Sequence, residues 1–144
     1  MPPSQQPQNA DSTLWRRLWT LRVPNKVKNL LWWACRNAMP TKANLVRKTI
    51  INDPLCERCR AAHETPLHAL WTCKELDIVR ETHGSGPIRS QSNFQDFKPL
   101  LSTLLQQQSD VEMVAMIMWS VWTQRNQIRL NKPASTLHQI VQQS

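Results

Sequence analysis

The sequence contains very little glycine and no tyrosine. Of its 144 residues only Gly84 and Gly86 are glycine, and they lie two positions apart. Tight hairpin turns depend on residues that adopt positive φ readily, and glycine is the commonest of them. A chain this poor in glycine can form few such turns, so the sequence argues against an all-β fold.

Acidic residues are missing from a long N-terminal stretch. No Asp or Glu occurs between positions 12 and 52, where nine of the 18 lysine and arginine residues lie. Beyond position 52, nine basic and nine acidic residues cancel, so the net charge of +8 belongs to the N-terminal third. Such a positive field favours a polyanionic partner, with nucleic acid preferred over an anionic membrane. The alternative is a solvated basic face that serves only solubility.

Long apolar segments are also absent. The longest strongly apolar run, residues 113–122, is far shorter than the roughly 20 residues that span a bilayer, so we expect no transmembrane segment. Residues 1–10 are polar and proline-rich and do not have the pattern of a signal peptide. The expected location is therefore intracellular, in a reducing compartment, with nucleus and cytoplasm left open.

Three of the four cysteines lie in a pattern typical of metal ligands. Cys56 and Cys59 form a Cys-x2-Cys pair, and His68 and Cys73 follow as His-x4-Cys within 18 residues. Three thiolates and one imidazole fill a tetrahedral Zn²⁺ shell and leave no position open for a substrate water. The histidine favours zinc over an iron–sulfur cluster. The pattern therefore predicts a structural zinc site rather than a catalytic one.

Two other interpretations of this segment stay open. The cysteines could be ordinary buried apolar residues, or His63 could replace His68 as the ligand. Since positions i and i+5 do not share one face of an α-helix, Cys73 must lie at or beyond the end of the helix that carries His68. Cys35 is expected to be an ordinary packed thiol.

The remaining pattern predicts a small all-α domain with an irregular Cys/His zinc-binding segment. Residues 1–11 have the composition of a disordered tail, and residues 12–82 predict a basic helical region that includes the zinc module. A loop at 83–92 follows, and residues 93–132 predict a C-terminal helical pair that packs on the module. Residues 133–144 are a predicted tail with at most a weak helix.

Several element boundaries follow from capping residues and apolar spacing. The first helix is expected to start at Asp11 or Ser12, and Thr41 and Thr65 are expected to cap two short helices. The longest helix should run from Ser109 or Asp110 to about residue 130 and be buried at the centre. The second helix carries a predicted core stripe of apolar residues. The members of this stripe are Val27, Leu30, Leu31, Ala34 and Ala38.

Three segments carry a family resemblance: LWRRLWTLRVPNKVKNLLWWACRNAMPTKANLVRK, then CERCRAAHETPLHALWTC, and finally WSVWTQRNQIRLNK. Together they resemble the reverse-transcriptase zinc-binding domain of plant non-LTR (LINE-type) retroelements. The resemblance covers about residues 14–132, and it is specific because order, spacing and residue types agree at once. The sequence departs from the family pattern at Val79, where the family often has a tryptophan. This difference affects the packing behind the zinc site and not the ligands.

The resemblance implies an accessory module that lies between a polymerase domain and, often, a ribonuclease H domain. Polymerase chemistry needs paired carboxylates for two metal ions, commonly in a Tyr-x-Asp-Asp turn, and the chain has no tyrosine and no Asp–Asp pair. Ribonuclease H needs a cluster of carboxylates, and no acidic residue follows Glu112. We therefore expect no enzymatic activity. The resemblance implies that the chain is a separated fragment of a retroelement polyprotein or a retroelement remnant.

The candidate nucleic-acid-binding residues come from the first two predicted helices. Their cations could pair with phosphates, and an exposed tryptophan could stack on an unpaired base for about 1–3 kcal/mol. The candidates are Arg16, Arg17, Arg22, Lys26, Lys28, Trp32 and Arg36. The alternative for the tryptophans is packing between helices. A competing function is a structural or protein-interaction module that docks on polymerase or ribonuclease H segments. The contact would be Trp119 and Trp122, or an apolar side left bare where those domains are missing.

Overall fold

The computed structural model describes residues 5–83, 94–107 and 110–142. Seven α-helices occur in these ranges: α1 (Gln5–Trp19), α2 (Asn25–Cys35), α3 (Lys42–Arg47), α4 (Asp77–His83), α5 (Phe97–Gln107), α6 (Val111–Arg129) and α7 (Leu137–Gln142). A π-helical turn, His68–Thr72, and a 3-10 turn, Lys74–Leu76, precede α4. The described residues form no strand, only an isolated bridge between Leu55 and His63. The prediction of an all-α fold is confirmed.

Helix α1 starts earlier than the sequence predicts. It begins at Gln5 rather than at Asp11 or Ser12, so residues 5–11 are helical and not a tail. Pro7 lies in the first turn, where its missing N–H has no intrahelical partner to lose. A proline-rich composition is therefore compatible with a helix start here. The helix buries Leu14 and Leu18.

Helix α2 carries the predicted core stripe except for its last member. Its buried side chains are Val27, Leu30, Leu31 and Ala34. The helix ends at Cys35, and Asn37 follows with a positive φ of 54°. Ala38 therefore lies beyond the helix and is exposed, so its assignment to the stripe was wrong.

Helix α3 has the predicted cap. The Thr41 hydroxyl accepts a hydrogen bond from the Asn44 N–H at 3.4 Å, and the helix ends at Arg47. Thr41 itself is fully buried. The cap satisfies one of the N–H groups that every helix start leaves unpaired.

Helix α6 is the centre of the fold. It packs against α2, α4, α5, α7 and the π-helical turn, and its bounds lie within a residue or two of the predicted ones. Asp110 precedes it in the left-handed region, with φ 56°, and makes no side-chain cap. Met113 and Met116 are each 38% exposed, so the helix is not buried all round.

The predicted C-terminal tail contains the short helix α7. Ile140 of this helix is buried, and α7 packs on α4 and α6. Most of the predicted 83–92 loop lies outside the described residues, and α5 begins at Phe97. Across the three described ranges, no helix combines the length and apolar character needed to cross a membrane.

The core has two parts, and the smaller one surrounds the cysteines. The larger part joins α1, α2, α5, the π-helical turn and the first half of α6. The smaller part brings apolar side chains of α6, α7 and the region around α4 against two cysteines. Its buried members are Cys56, Cys73, Leu76, Val79, Ile117, Val121 and Ile140. Val79 is thus well packed, although a larger residue is common there in the family that the sequence resembles.

Candidate metal centre

A tight loop presents the first two cysteines. The Cys56 N–H donates to the Ala62 carbonyl at 2.8 Å, and the Arg60 N–H donates to the Cys56 carbonyl at 2.8 Å. Arg60 adopts a positive φ of 55°, which reverses the chain. The Ala61 N–H donates to Cys59 Sγ at 3.4 Å. These bonds fix both cysteines in one turn, as the Cys-x2-Cys spacing predicts.

The π-helical turn presents the other two side chains. The Thr65 hydroxyl accepts from the His68 N–H at 3.1 Å, which confirms the predicted cap. The backbone then widens, and the Cys73 N–H donates to the His68 carbonyl at 3.1 Å, an i→i+5 bond. This wider turn aligns positions i and i+5, which an α-helix would not do. The sequence predicted a helix here and placed Cys73 correctly at its end, but it did not predict that the helix is of the π type.

The four side chains meet at one point. Among the described residues, Cys56, Cys59, His68 and Cys73 form a group whose ligand atoms all lie within 4.8 Å of one another. The Sγ atoms of Cys56 and Cys73 are 3.9 Å apart, and Cys59 Sγ is 3.4 Å from His68 Nε2. His63, the alternative ligand, is exposed and is not in the group.

These distances fit a tetrahedral zinc shell. With Zn–S bonds of about 2.3 Å and a Zn–N bond of about 2.0 Å, tetrahedral geometry places two sulfurs about 3.8 Å apart and a sulfur and a nitrogen about 3.5 Å apart. Both measured distances lie close to these values. The donor set and its spacing therefore suit Zn²⁺ held by three thiolates and one imidazole.

Hydrogen bonds within the cluster lower the pKa of two of its three cysteines. The hydrogen bond between the Cys56 and Cys73 sulfurs lowers the pKa of Cys56 to about 3 and raises the pKa of Cys73. Burial opposes ionisation of Cys59, but hydrogen bonds from the Ala61 N–H and from His68 outweigh it and lower the pKa of Cys59. Thiolates are the form in which cysteine binds metals.

Arg58 lies next to the four-residue cluster. Zn²⁺ with three thiolates would carry a net charge of −1. The Arg58 guanidinium donates to the Val121 carbonyl of α6 at 3.0 Å. Burial lowers the pKa of Arg58, whereas the thiolates of Cys73 and Cys56 act in the opposite direction. The arginine therefore supplies a positive charge that offsets the cluster.

Glu64 ties the loop to two helices. Its carboxylate forms a bidentate pair with Arg125 of α6, in which Arg125 Nε lies 2.9 Å from Glu64 Oε2 and Arg125 Nη2 contacts Glu64 Oε1. The Lys42 N–H at the start of α3 donates to the same carboxylate at 2.8 Å. The side chains of Glu64 and Arg125 are only 4% and 10% exposed.

Sequence patterns alone do not assign Arg58, Glu64 or Arg125 to the site. The available signal was that Glu64 and Arg125 both fall in the segments that carry the family resemblance. The partners of this ion pair are 61 positions apart, so no local spacing connects them.

The predicted nucleic-acid-binding residues lie mostly on the surface. Five are exposed, and Lys28 and Trp32 are half-buried. The exposed five are Arg16, Arg17, Arg22, Lys26 and Arg36. Lys28 Nζ donates to the Trp19 carbonyl at 2.9 Å, which ties the end of α1 to α2. Most of the predicted cations are therefore available to a partner.

Trp19 and Trp33 are more accessible than the candidate residue Trp32. Arg36 lies over the Trp32 ring, 4.9 Å from its centroid, so this ring is already covered on one face. Lys26 covers Trp119 in the same way, at 4.0 Å. Trp33 and Trp19 are 47% and 41% exposed. The open aromatic side chain of α2 is therefore Trp33 rather than Trp32.

Comparison with known proteins gives two matches. A family model described as zinc-binding in reverse transcriptase matches residues 3–79, slightly more than half of the chain, and this segment contains the whole Cys/His group. An Arabidopsis thaliana protein named "Putative ribonuclease H protein" is 34% identical over 56 residues. That match covers 39% of this chain and only 9% of the relative's length. No solved structure matches the chain.

Proposed function

This chain belongs to the family of zinc-binding domains in reverse transcriptase, and we propose that it is a non-catalytic accessory domain that contacts nucleic acid. In this proposal Cys56, Cys59, His68 and Cys73 hold one structural Zn²⁺, and the basic surface of α1 and α2 contacts the phosphate backbone. The domain would act in a reducing compartment inside the cell, where the thiolates stay available to the metal.

The observation that supports the zinc assignment is the convergence of four ligand atoms within 4.8 Å. Four protein ligands close a tetrahedral shell and leave no coordination position for a substrate or a reactive water. The metal would therefore hold the loop and the π-helical turn together rather than carry out chemistry. Structural zinc sites contribute about 10–16 kcal/mol of apparent binding free energy in small modules.

The nucleic-acid part of the proposal is supported by charge and exposure. The stretch from residue 12 to residue 52 carries nine cations and no anion, and five of the predicted contact residues are exposed cations. Lysine and arginine contacts to phosphates release condensed counterions and make binding depend steeply on salt. Trp19 and Trp33 offer exposed rings for stacking on unpaired bases.

The test is the affinity for single-stranded RNA and DNA, measured by fluorescence anisotropy over a series of salt concentrations. We expect the double substitution Arg16→Gln with Arg22→Gln to weaken binding and to reduce the salt slope by about 1.4, since each contact to a single strand contributes about 0.7. Lys26, Lys28 and Arg36 are left unchanged because their charged groups also contact the Trp119 ring, the Trp19 carbonyl and the Trp32 ring.

The matched control is Lys74→Gln with Lys132→Gln, which removes the same charge from two exposed lysines outside the basic region. This control should bind nearly as the unaltered protein does. A salt response that is flat in the unaltered protein, or equal losses in both double variants, would refute a phosphate contact made by this surface.

The competing function, docking on polymerase or ribonuclease H segments, finds less support. Its predicted contact residues were Trp119 and Trp122, but Trp122 is 9% exposed and Trp119 is half-buried beneath Lys26. Trp122 is therefore closed to a partner, and Trp119 offers only part of its side chain. The named relative is a ribonuclease H protein by its description, so a pull-down with such a domain at high salt remains the direct measurement of this alternative.

A further inference from the structure

A cavity of about 460 Å³ lies beside the metal centre, between the zinc loop, the second half of α6 and the start of α7. Arg58 of the loop, Gln124, Arg125 and Ile128 of α6, and Leu137 of α7 contribute to its wall. The volume is sufficient for a small ligand or for one side group of a larger molecule.

One buried polar atom in this wall has no partner. Gln124 is only 5% exposed, and its Nε2 donates to the Ser135 carbonyl at 2.6 Å, which fixes the orientation of the amide. Within the described part of the chain, Gln124 Oε1 receives no hydrogen bond. A buried acceptor without a donor costs about 1–3 kcal/mol, so a ligand that brings an N–H group here would recover that free energy.

The cations of the wall are already engaged. Arg125 is paired with Glu64, and Lys42 Nζ lies 3.1 Å from Asp53. Arg58 donates to a backbone carbonyl. The wall also contains two exposed carboxylates, Glu57 and Glu75. Among the described residues the cavity therefore offers no free cation to an anionic ligand, and its open acceptors favour a group that carries hydrogen-bond donors.

Arg125 adds a fixed planar group, although its side chain is only 10% exposed. Its guanidinium is held by the bidentate pair with Glu64 and lies over the Trp122 ring, 4.5 Å from the centroid. Immobilised guanidinium planes are surfaces on which nucleobases stack. Ile128, which is 49% exposed, and Leu137 give the cavity an apolar side.

We propose that this cavity binds one unpaired nucleobase, whose N–H or amino group donates to Gln124 Oε1 while its ring packs against Arg125 and Ile128. The proposal rests on the nucleic-acid binding proposed above and adds a base-contacting site to the phosphate-contacting surface. A base contact releases no counterion, so it changes affinity without changing the salt slope.

The first test compares Gln124→Met with Gln127→Met, the same substitution three positions further along α6 at a residue outside the cavity wall. Binding of a short single-stranded oligonucleotide should weaken about fivefold in the first variant, the effect of one hydrogen bond, and not in the second. The salt slope should be the same in both. An oligonucleotide of the same length made of abasic residues should bind both variants equally.

A second pair of variants distinguishes a loss of binding from a folding defect. Ile128→Ser and Leu130→Ser each remove an exposed aliphatic side chain near the end of α6, but only Ile128 lies in the cavity wall. We expect Ile128→Ser alone to reduce oligonucleotide affinity. Zinc content and unfolding midpoints should remain equal in the two variants.

A direct measurement separates the two proposals. Adenosine, which lacks phosphate, should shift the NMR methyl signals of Ile128 and Leu137 in the unaltered protein and leave that of Ile50 in place. If oligonucleotide binding is salt-dependent but Gln124→Met and Ile128→Ser bind as their controls do, the cavity proposal is overturned and the basic surface stands. If adenosine shifts neither cavity methyl, the cavity proposal is overturned whatever the salt response.

Discussion

The buried ion pair between Glu64 and Arg125 gives the sharpest prediction on stability. Replacing Arg125 by methionine keeps most of the side-chain volume but leaves the Glu64 carboxylate in a site that is only 4% exposed. Breaking a buried pair by removing one partner costs about 3–5 kcal/mol, against about 0–1 kcal/mol for a surface pair. For a domain of this size the unfolding midpoint should fall by about 10–20 °C.

The assay is thermal or urea unfolding at a fixed zinc concentration, since bound metal shifts apparent stability by mass action. A double-mutant cycle of Glu64→Gln and Arg125→Met isolates the coupling between the two side chains. Glutamine retains an acceptor for the Lys42 N–H, so the cycle removes the ion pair but keeps the hydrogen bond at the start of α3. The Arg125 stacking on Trp122 is lost in both variants that carry methionine and cancels in the cycle.

The exposed pair between Arg60 and Asp53 supplies the control. Its side chains are 58% and 48% exposed, and the arginine-to-methionine change there should cost less than about 1 kcal/mol. A coupling energy for Glu64 and Arg125 as small as that of the exposed pair would show that the loop is not anchored to α6 through this contact.

Three further predictions concern the metal and its surroundings. Native mass spectrometry should find one zinc per chain, lost in Cys56→Ser and His68→Ala but retained in His63→Ala; retention of zinc by His68→Ala would refute the ligand assignment. Thr65→Ala should destabilise the protein by about 1 kcal/mol in urea unfolding because the cap of the His68 N–H is lost, and an unchanged midpoint would contradict that role. Val79→Trp should destabilise it by about 1–3 kcal/mol because Val79 is only 2% exposed and a larger ring overpacks the site; equal or greater stability would show that the cluster has room for the ring.

Much of the fold could be predicted because the relevant signals are local. The apolar spacing of α2 and α6 and the caps at Thr41 and Thr65 each depend on residues within one or two turns of one another. The start of α1 was missed because composition is a weak guide at a helix terminus, where proline in the first turn breaks no hydrogen bond. The exposed Ala38 was missed because the apolar spacing was extended past Asn37, although asparagine is, after glycine, the residue that most readily ends a helix in the left-handed region.

The candidate site likewise contains residues that local sequence spacing predicts and residues that only tertiary packing brings together. The Cys-x2-Cys and His-x4-Cys spacings select the four cluster residues because a tetrahedral metal shell needs nearby ligands of these types. The support from Arg58, Glu64 and Arg125 depends on where α6 packs, which is set by the whole core. Trp32 and Trp33 show a similar limit, since the packing of α2 decides which of two adjacent rings is exposed.

The π-helical turn also bears on how much the length of this segment can vary. Its i→i+5 bond encloses one residue more than an α-helical turn would, between the same two ligands. A chain shorter by one residue could close an ordinary i→i+4 turn and still present histidine and cysteine on a common side, because those positions are neighbours on an α-helix. Deletion of a single residue here is therefore compatible with an intact coordination sphere, and related proteins with a ligand spacing shorter by one residue could share the same architecture.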